Sequence, residues 1–479
     1  MPPIVALLLC TAFVLFLLRL DCKQAPGVSS ASWIPTLWML CAASKPLIYW
    51  FHPLGSEGEE SNYVDPSFHS LLLAAGFFTL AQRRVAWRGF FRDSGWIVAL
   101  LAFMLLSIAW SGTILVAFKR WIRELEAVLM AVLVLSDRSP RQAMESILRR
   151  TAYVLIPTSL MVIKFFPVQG VQYGRWTGSP MWVGVTLQKN GLGRLCLIAV
   201  AFLLWSLFTR RKRAKSMRVK YSTAMDWVVL LIAVWLLKGP TVQAYSATAL
   251  AALFLGLATF GGLYWIQKRR LYFIRGAVTG LVMFGIAVGT ALPFVMGKES
   301  DPEGASQSEV TAMLGRDASF TGRTDIWAQL LPDVKRNPLL GAGLFGYWTP
   351  ANVIIHEVGE AHNGYLDMLL HLGAVGLSLA GVILISSCRK ALRALDIDFD
   401  WASLVASFVV MITFHNISES SIHCFTCTLS GLLVLLIASF PAALSRPRRS
   451  VAHLNPTVRP SNDDVSARDV RSITSPVDV

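Results

Sequence analysis

Charge is scarce in this 479-residue chain: 15% of its residues are Asp, Glu, Lys or Arg, while 54% are hydrophobic. With 16 Trp and 26 Phe beside so few charges, a soluble domain of this length is excluded, and the chain reads as a polytopic membrane protein whose solvent is lipid. It lacks a motif that reads a nucleic-acid groove, and its net charge of +15 falls in short clusters between apolar segments, so no nucleic-acid partner is expected. No basic residue precedes the first apolar run, Ile4 to Leu18, which lacks the positive start of a secretory signal and is expected to remain as a helix. An inverted internal repeat, as many secondary transporters carry, is not visible. Of seven cysteines only Cys424 and Cys427 form a C-x-x-C, with His423 and His415 nearby. Four converging metal ligands and a thioredoxin-like context are both missing there, so the pair reads as packing at a helix start, and no metal or other cofactor is expected.

What is abundant is long apolar sequence. Segments near 4–20, 32–51, 67–82, 96–112, 121–136, 150–166, 192–208, 225–238, 246–265, 276–296, 363–386, 401–414 and 425–444 approach the span length of about 20 residues that a bilayer requires. The expected fold class is all-α, a polytopic integral membrane protein of about 12–13 transmembrane helices with one large outer loop. Lys and Arg gather on alternate connections: Arg83 to Arg92, Arg138 to Arg150, Arg210 to Lys220, Lys268 to Arg270, and Arg389 with Lys390. The positive-inside rule makes these cytoplasmic. The acidic loop with Glu57, Glu59, Glu60 and Asp65, the loop 167–190 and the long loop 297–361 then face outward. Residues 1–444 form the membrane domain, and 445–479, rich in Arg, Ser, Pro and Asp, read as a disordered cytoplasmic tail.

The outer loop 297–361 is too long for a connector. Lys298 to Ser319 reads as flexible, whereas Ile326 to Leu331 has helical spacing and Gly341, Gly343 and Gly346 impose tight turns. Arg323 and Asp325 therefore stand at a helix start, whose free backbone N–H groups favour an anion such as phosphate. His362 stands where the chain re-enters an apolar segment.

Several blocks in order resemble the O-antigen ligase and polymerase superfamily, in particular its exopolysaccharide-polymerase branch, over about Ser107 to Leu444. They are Ser107-Ile-Ala-Trp110-Ser111, Gly184 to Gly193, Gly322-Arg323-Thr-Asp-Ile-Trp327, Gly341-Ala-Gly343, His362-Asn363-Gly-Tyr-Leu and Asn416-Ile-Ser-Glu419. The resemblance implies a glycosyltransferase of the bacterial inner membrane, with its active site facing the periplasm. It would take a glycan from an undecaprenyl-diphosphate carrier to a glycan or lipid-core acceptor, inverting the anomeric carbon without a metal ion. It also implies that His362 is catalytic and that Arg323 helps hold the diphosphate.

Elementary chemistry suits those roles. A diphosphate is a good leaving group, so the protein needs a base for the acceptor hydroxyl and cations for the departing charge. Histidine titrates near neutral pH and arginine grips phosphate in a fork. Lys189, Asn190 and Asn363 are further candidates for substrate contact, and Glu419 is an acid that needs a cationic partner such as Arg323 or Lys189. Arg175 with Trp176 offers a sugar-stacking pair, while His356, His415 and His423 read as interfacial. Many relatives carry a cation where this chain reads Ser246-Ala247-Thr248, and Lys238, Lys119 or Arg120 could replace it. The alternative function, a lipid-linked glycan transporter or flippase, calls for ionisable residues in mid-span, of which Lys45 and Lys164 are few and near the ends.

Overall fold

A computed structural model describes residues 1–51, 63–85, 87–174, 178–211, 217–241, 244–297 and 322–440. The acidic Glu57, Glu59 and Glu60, the Arg175–Trp176 pair, the stretch Lys298 to Ser319 and the tail 445–479 lie outside the described residues.

Numbering only helices of ten or more residues, the described chain runs α1 (Pro3–Gln24), α2 (Trp33–Ala42), α3 (Val64–Ala81), α4 (Gly95–Ser107), α5 (Ile114–Leu135), α6 (Pro140–Phe165) and α7 (Lys189–Arg211). It continues with α8 (Met217–Lys238), α9 (Ala247–Arg269), α10 (Ala277–Met296), α11 (Arg323–Arg336), α12 (Gly364–Ala394), α13 (Phe399–His415) and α14 (Thr428–Ala438). A short antiparallel pair, Val171–Tyr173 with Pro180–Trp182, interrupts this all-α architecture. Every apolar segment of the sequence meets one of these helices, and the remaining one, α11, lies within the 297–361 stretch.

Among the described residues seven helices are long and apolar enough to cross a membrane, or eight if the pair Trp87–Asp93 and Gly95–Trp110, bent by 83°, is one span. The all-α polytopic class stands, and several of the other expected spans fall short of that length or apolarity. The α13 and α14 helices are apolar but short, α2 has ten residues, and α5 carries Lys119, Arg120, Arg123, Glu124 and Glu126.

Two cations counted above as loop residues are instead interior. Arg149 and Arg150 of α6 are buried, with Arg150 Nε 2.7 Å from Asp21 Oδ2 and Arg149 reaching Asp21 at 3.4 Å and Asp226 at 3.8 Å. Ser206 and Ser32 accept further hydrogen bonds from the two guanidinium groups. Two cations thus face two carboxylates, which ties α1, α6, α7 and α8 together through mutually balanced charges.

One break positions the site. Helix α12 is interrupted at Gly373, whose φ of 62° and ψ of −164° only glycine adopts without strain. Loop 338–342 fills the gap: Ala374 N–H donates to Pro338 O at 2.9 Å, Val375 to Leu339 at 3.2 Å, and Ala342 to Leu370 O at 2.9 Å. Backbone freed by the break is satisfied within the protein, as a low-dielectric setting demands. The next turn has Gly343 at φ 86°, and a Cβ there would lie 2.7 Å from Ser107 O and 2.9 Å from Ser111 N. The sequence blocks around Ser107 and Gly343 are therefore two sides of one contact.

Candidate functional site

Loop 416–422 is folded by one side chain. Asn416 Oδ1 accepts from the N–H groups of Ser421 and Ile422 at 2.9 Å each, and Asn416 Nδ2 donates back to Ile412 O at 2.8 Å. Glu419 on this loop is buried, and its Oε1 receives Arg323 from the first residue of α11 and Asn190 from the first turn of α7, each at 2.6 Å. The expected partnership of Glu419 with Arg323 is thus present. Lys189 stands beside Asn190 at the start of α7, half-buried.

The residue before His362 is held by both of its backbone groups. Asp367, in the first turn of α12, accepts from Ala361 N–H at 3.2 and 3.1 Å, while Trp327 Nε1 of α11 donates to Ala361 O at 2.9 Å. Asp367 also accepts from Trp348 Nε1 at 2.8 Å and from the Ser420 hydroxyl, so one buried carboxylate links loop 344–350, loop 416–422 and α12. His362 follows at φ 49°, a left-handed conformation that non-glycine residues keep only where their surroundings impose it.

His362 Nδ1 lies 3.0 Å from Glu360 Oε1, with side-chain exposures of 25% and 29% that keep both open to a ligand. Burial works against charge on the His362 ring, yet Glu360, with Glu419 behind it, holds its pKa above the ordinary histidine value. Burial alone would raise Glu360, but His362, Arg194 and His423 bring that carboxyl below its usual range. Glu419 moves the other way: its burial outweighs Arg323 and Arg194 and lifts its pKa.

Arg194 is a residue that sequence reading missed. One turn beyond Asn190 on the same face of α7, it donates to Ser420 O at 3.4 Å and Ser421 Oγ at 3.5 Å, and its charge reaches Glu360 and Glu419. The i, i+4 spacing from Asn190 was the available signal. Glu360, two residues before His362, and Asp367 were also missed, because only the folded chain shows what they touch.

Two expected site residues stand elsewhere. Asn363 is fully buried with its amide committed: Oδ1 caps α12 by accepting from Tyr365 and Leu366 N–H, and Nδ2 donates to Gly289 O and Ile417 O. It shapes the entry into α12 rather than facing a substrate. Lys238 is exposed at the end of α8 and, among the described residues, is not one of the groups that meet Glu419 or His362. Beside Ala247, where the cation is missing, α7 and α9 pack closely: a Cβ on Gly193 would overlap Ser246 Cβ and sit 3.1 Å from Ala249 Cβ. Thr248 of the same run meets Ser418 Oγ at 2.8 Å.

Donor atoms of Glu360, His362 and Glu419 lie within 4.8 Å of one another, a spacing that a metal ion accepts. Against this, Glu419 Oε1 is already shared by a guanidinium and an amide. The Cys424–Cys427 pair, expected as simple packing, forms a disulfide that precedes α14 with Cys427 at its N-cap, which removes both thiols as ligands beside His423.

A family model described as O-antigen ligase matches residues 232–381. That stretch is similar to an O-antigen ligase domain. The matched stretch holds Arg323, Glu360, His362 and Asp367, while Asn190, Arg194 and Glu419 reach the site from outside it. Over 323 residues, 65% of this chain and 68% of the relative, the sequence is 24% identical to "Exopolysaccharide production protein ExoQ" of Rhizobium meliloti (strain 1021). The ligase-domain match and this relative agree with the resemblance drawn from the loop motifs.

Proposed function

We propose that the chain is a polymerase- or ligase-type membrane glycosyltransferase that moves a glycan from an undecaprenyl-diphosphate carrier to an acceptor hydroxyl. The observation that carries this reading is the convergence of Arg323, Arg194 and Asn190 on the Glu419 loop beside His362 and Glu360.

In the proposed step the acceptor oxygen attacks the anomeric carbon from the face opposite the phosphate, and the bond from that carbon to the phosphate oxygen breaks. Its electron pair leaves with the diphosphate, and the acceptor proton passes to His362. Glu360, against His362 Nδ1, orients the ring and stabilises the imidazolium that forms. Arg323 and Arg194 supply the charge that the departing diphosphate needs, with Glu419 and Asn190 holding Arg323 and the head of α7 in register. No metal is required in this scheme, because two guanidinium groups perform the neutralisation. Inversion follows from a single displacement.

A location in the bacterial inner membrane with the site facing the periplasm is part of the same proposal. The Cys424–Cys427 disulfide on the site's own loop supports it, since disulfides persist in oxidising compartments. The transporter alternative calls for ionisable groups facing a pathway, whereas Arg149, Arg150, Asp21 and Asp226 are paired with one another. Deletion followed by glycan analysis tests the reading. Accumulating single lipid-linked repeats marks a polymerase, unattached long chains mark a ligase, and normal surface glycan refutes both.

A further inference from the structure

Helix α5 opens with Ile114-Leu-Val-Ala-Phe-Lys-Arg-Trp-Ile-Arg123, and its exposed side chains fall into two kinds. Ile114, Leu115, Val116 and Phe118 are large apolar groups left uncovered, and Lys119, Arg120 and Arg123 are exposed cations one turn further on. Among the described residues neither Lys119 nor Arg120 meets a carboxylate, and Arg123 donates to His69 Nε2 at 3.1 Å, a neutral acceptor when His69 Nδ1–H faces Glu126. Arg123 has the charge of Glu124 beside it, whereas the adjacent Lys119 and Arg120 repel each other and Arg123, so the arrangement is at its best with an anion against them.

The Arg120 guanidinium is not loose. It lies 5.0 Å from the centre of the Phe345 ring, and Phe345 sits at φ 51°, a strained position for a residue with a side chain. That position is imposed from both sides: Leu344 N–H donates to Ser107 Oγ at 3.1 Å, and Gly346 N–H closes a turn onto Gly343 O at 2.9 Å. Beyond Phe345 the rings of His371 and His423 follow at 5.8 and 6.4 Å. His371 is almost fully buried with Nδ1 unpartnered, and His423 is close enough to act on Glu360. A row of polar and aromatic groups therefore leads from the α5 cations to the centre holding His362.

We propose that the start of α5 binds the diphosphate of a second lipid-linked glycan, the acceptor, whose sugar lies along Phe345 and His423 toward His362 and whose hydrocarbon rests on Ile114, Leu115 and Phe118. This rests on the functional reading above, in which Arg323 and Arg194 hold the donor diphosphate. Joining two carrier-bound glycans requires two anion sites on opposite sides of the reacting atoms. Exposed cations beside apolar residues also attract any anionic lipid. The strained Phe345 fixing one guanidinium on a line toward the centre favours a substrate over a general lipid.

Native mass spectrometry of the full chain in zwitterionic nanodiscs, titrated with undecaprenyl diphosphate, tests this. Wild type should bind two molecules. Arg120→Gln alone should weaken one of the two at least about ten-fold, and Lys119→Gln with Arg120→Gln and Arg123→Gln should abolish it. Arg323→Gln with Arg194→Gln should remove the other. One molecule in wild type, lost on changing Arg323 and Arg194, overturns the acceptor site and spares the donor reading. None at all overturns both. Equal displacement of the second molecule by phosphatidylglycerol overturns the acceptor site in favour of an ordinary anionic lipid, as does full double occupancy in the triple variant.

Discussion

Arg323 and Glu419 are 96 residues apart in the chain and 2.6 Å apart in the fold, joined through one carboxylate oxygen that Asn190 also reaches. Their side chains are 14% and 2% exposed, so the pair is largely withdrawn from water. Removing one partner of such a pair leaves the other without its counter-charge. Glu419→Ala is expected to destabilise the protein by about 1–3 kcal/mol, read as a fall in Tm, and to raise the donor KM. Glu419→Gln, which still accepts from Asn190, should recover part of both; an unchanged Tm and KM in Glu419→Ala would show the pair to be idle.

His362→Ala should lower kcat by about 10²- to 10⁴-fold, the range for loss of a general base, with the protein still inserted and folded. Because His362 sits at φ 49°, His362→Gly should be the more stable of the two inactive variants. Thermal unfolding in detergent compares them, and wild-type-like transfer by either would sink the role given to His362.

The pH dependence has a definite sign. A base must be neutral to accept a proton, so kcat/KM should rise through the His362 pKa, which Glu360 and Glu419 hold above the ordinary histidine value against the effect of burial. Glu360→Gln removes a charge that favours the imidazolium, and the acid limb should move to lower pH. A limb that stays in place, or moves up, would mean that Glu360 does not tune His362.

For the two arginines the expected loss lies in donor binding. Arg323→Lys replaces a planar fork with a point charge and should raise the donor KM about ten-fold or more. Arg194→Gln should do the same, although the sequence block around it drew attention only to Lys189 and Asn190. If Arg194→Gln leaves KM and kcat unchanged, Arg194 does not hold the donor diphosphate.

Glu360, His362 and Glu419 have donor atoms within 4.8 Å, so a chelator is an informative reagent. Transfer by purified protein should survive EDTA treatment and gain nothing from added Mg²⁺ or Zn²⁺. Activity lost to EDTA and restored by one ion would place a metal among these three groups and overturn the metal-free scheme.

Much of this was readable before any fold was at hand. Hydrophobic runs depend only on local composition, and every apolar segment became a helix. The polar blocks around Arg323, His362 and Glu419 were conspicuous because polarity in so apolar a chain is costly unless it serves something. Local sequence could not say where a side chain points. Asn363 looked like a substrate contact and proved to be the cap of α12, since capping depends on hydrogen bonds to Tyr365 and Leu366 N–H that appear only once the helix starts there. Arg149 and Arg150 looked like loop cations until Asp21 and Asp226, from distant helices, closed on them.

By itself, then, the sequence determined an all-α membrane architecture and the residue types a glycan-transferring site would use, because both follow from composition and short-range spacing. Tertiary structure alone decided which of those residues meet. Arg194 joined the site, Lys238 stayed outside it, and Ala361 was gripped between Asp367 and Trp327 so that His362 took its strained place. These outcomes turn on contacts between segments far apart in the chain, whose geometry is set by packing of the whole bundle.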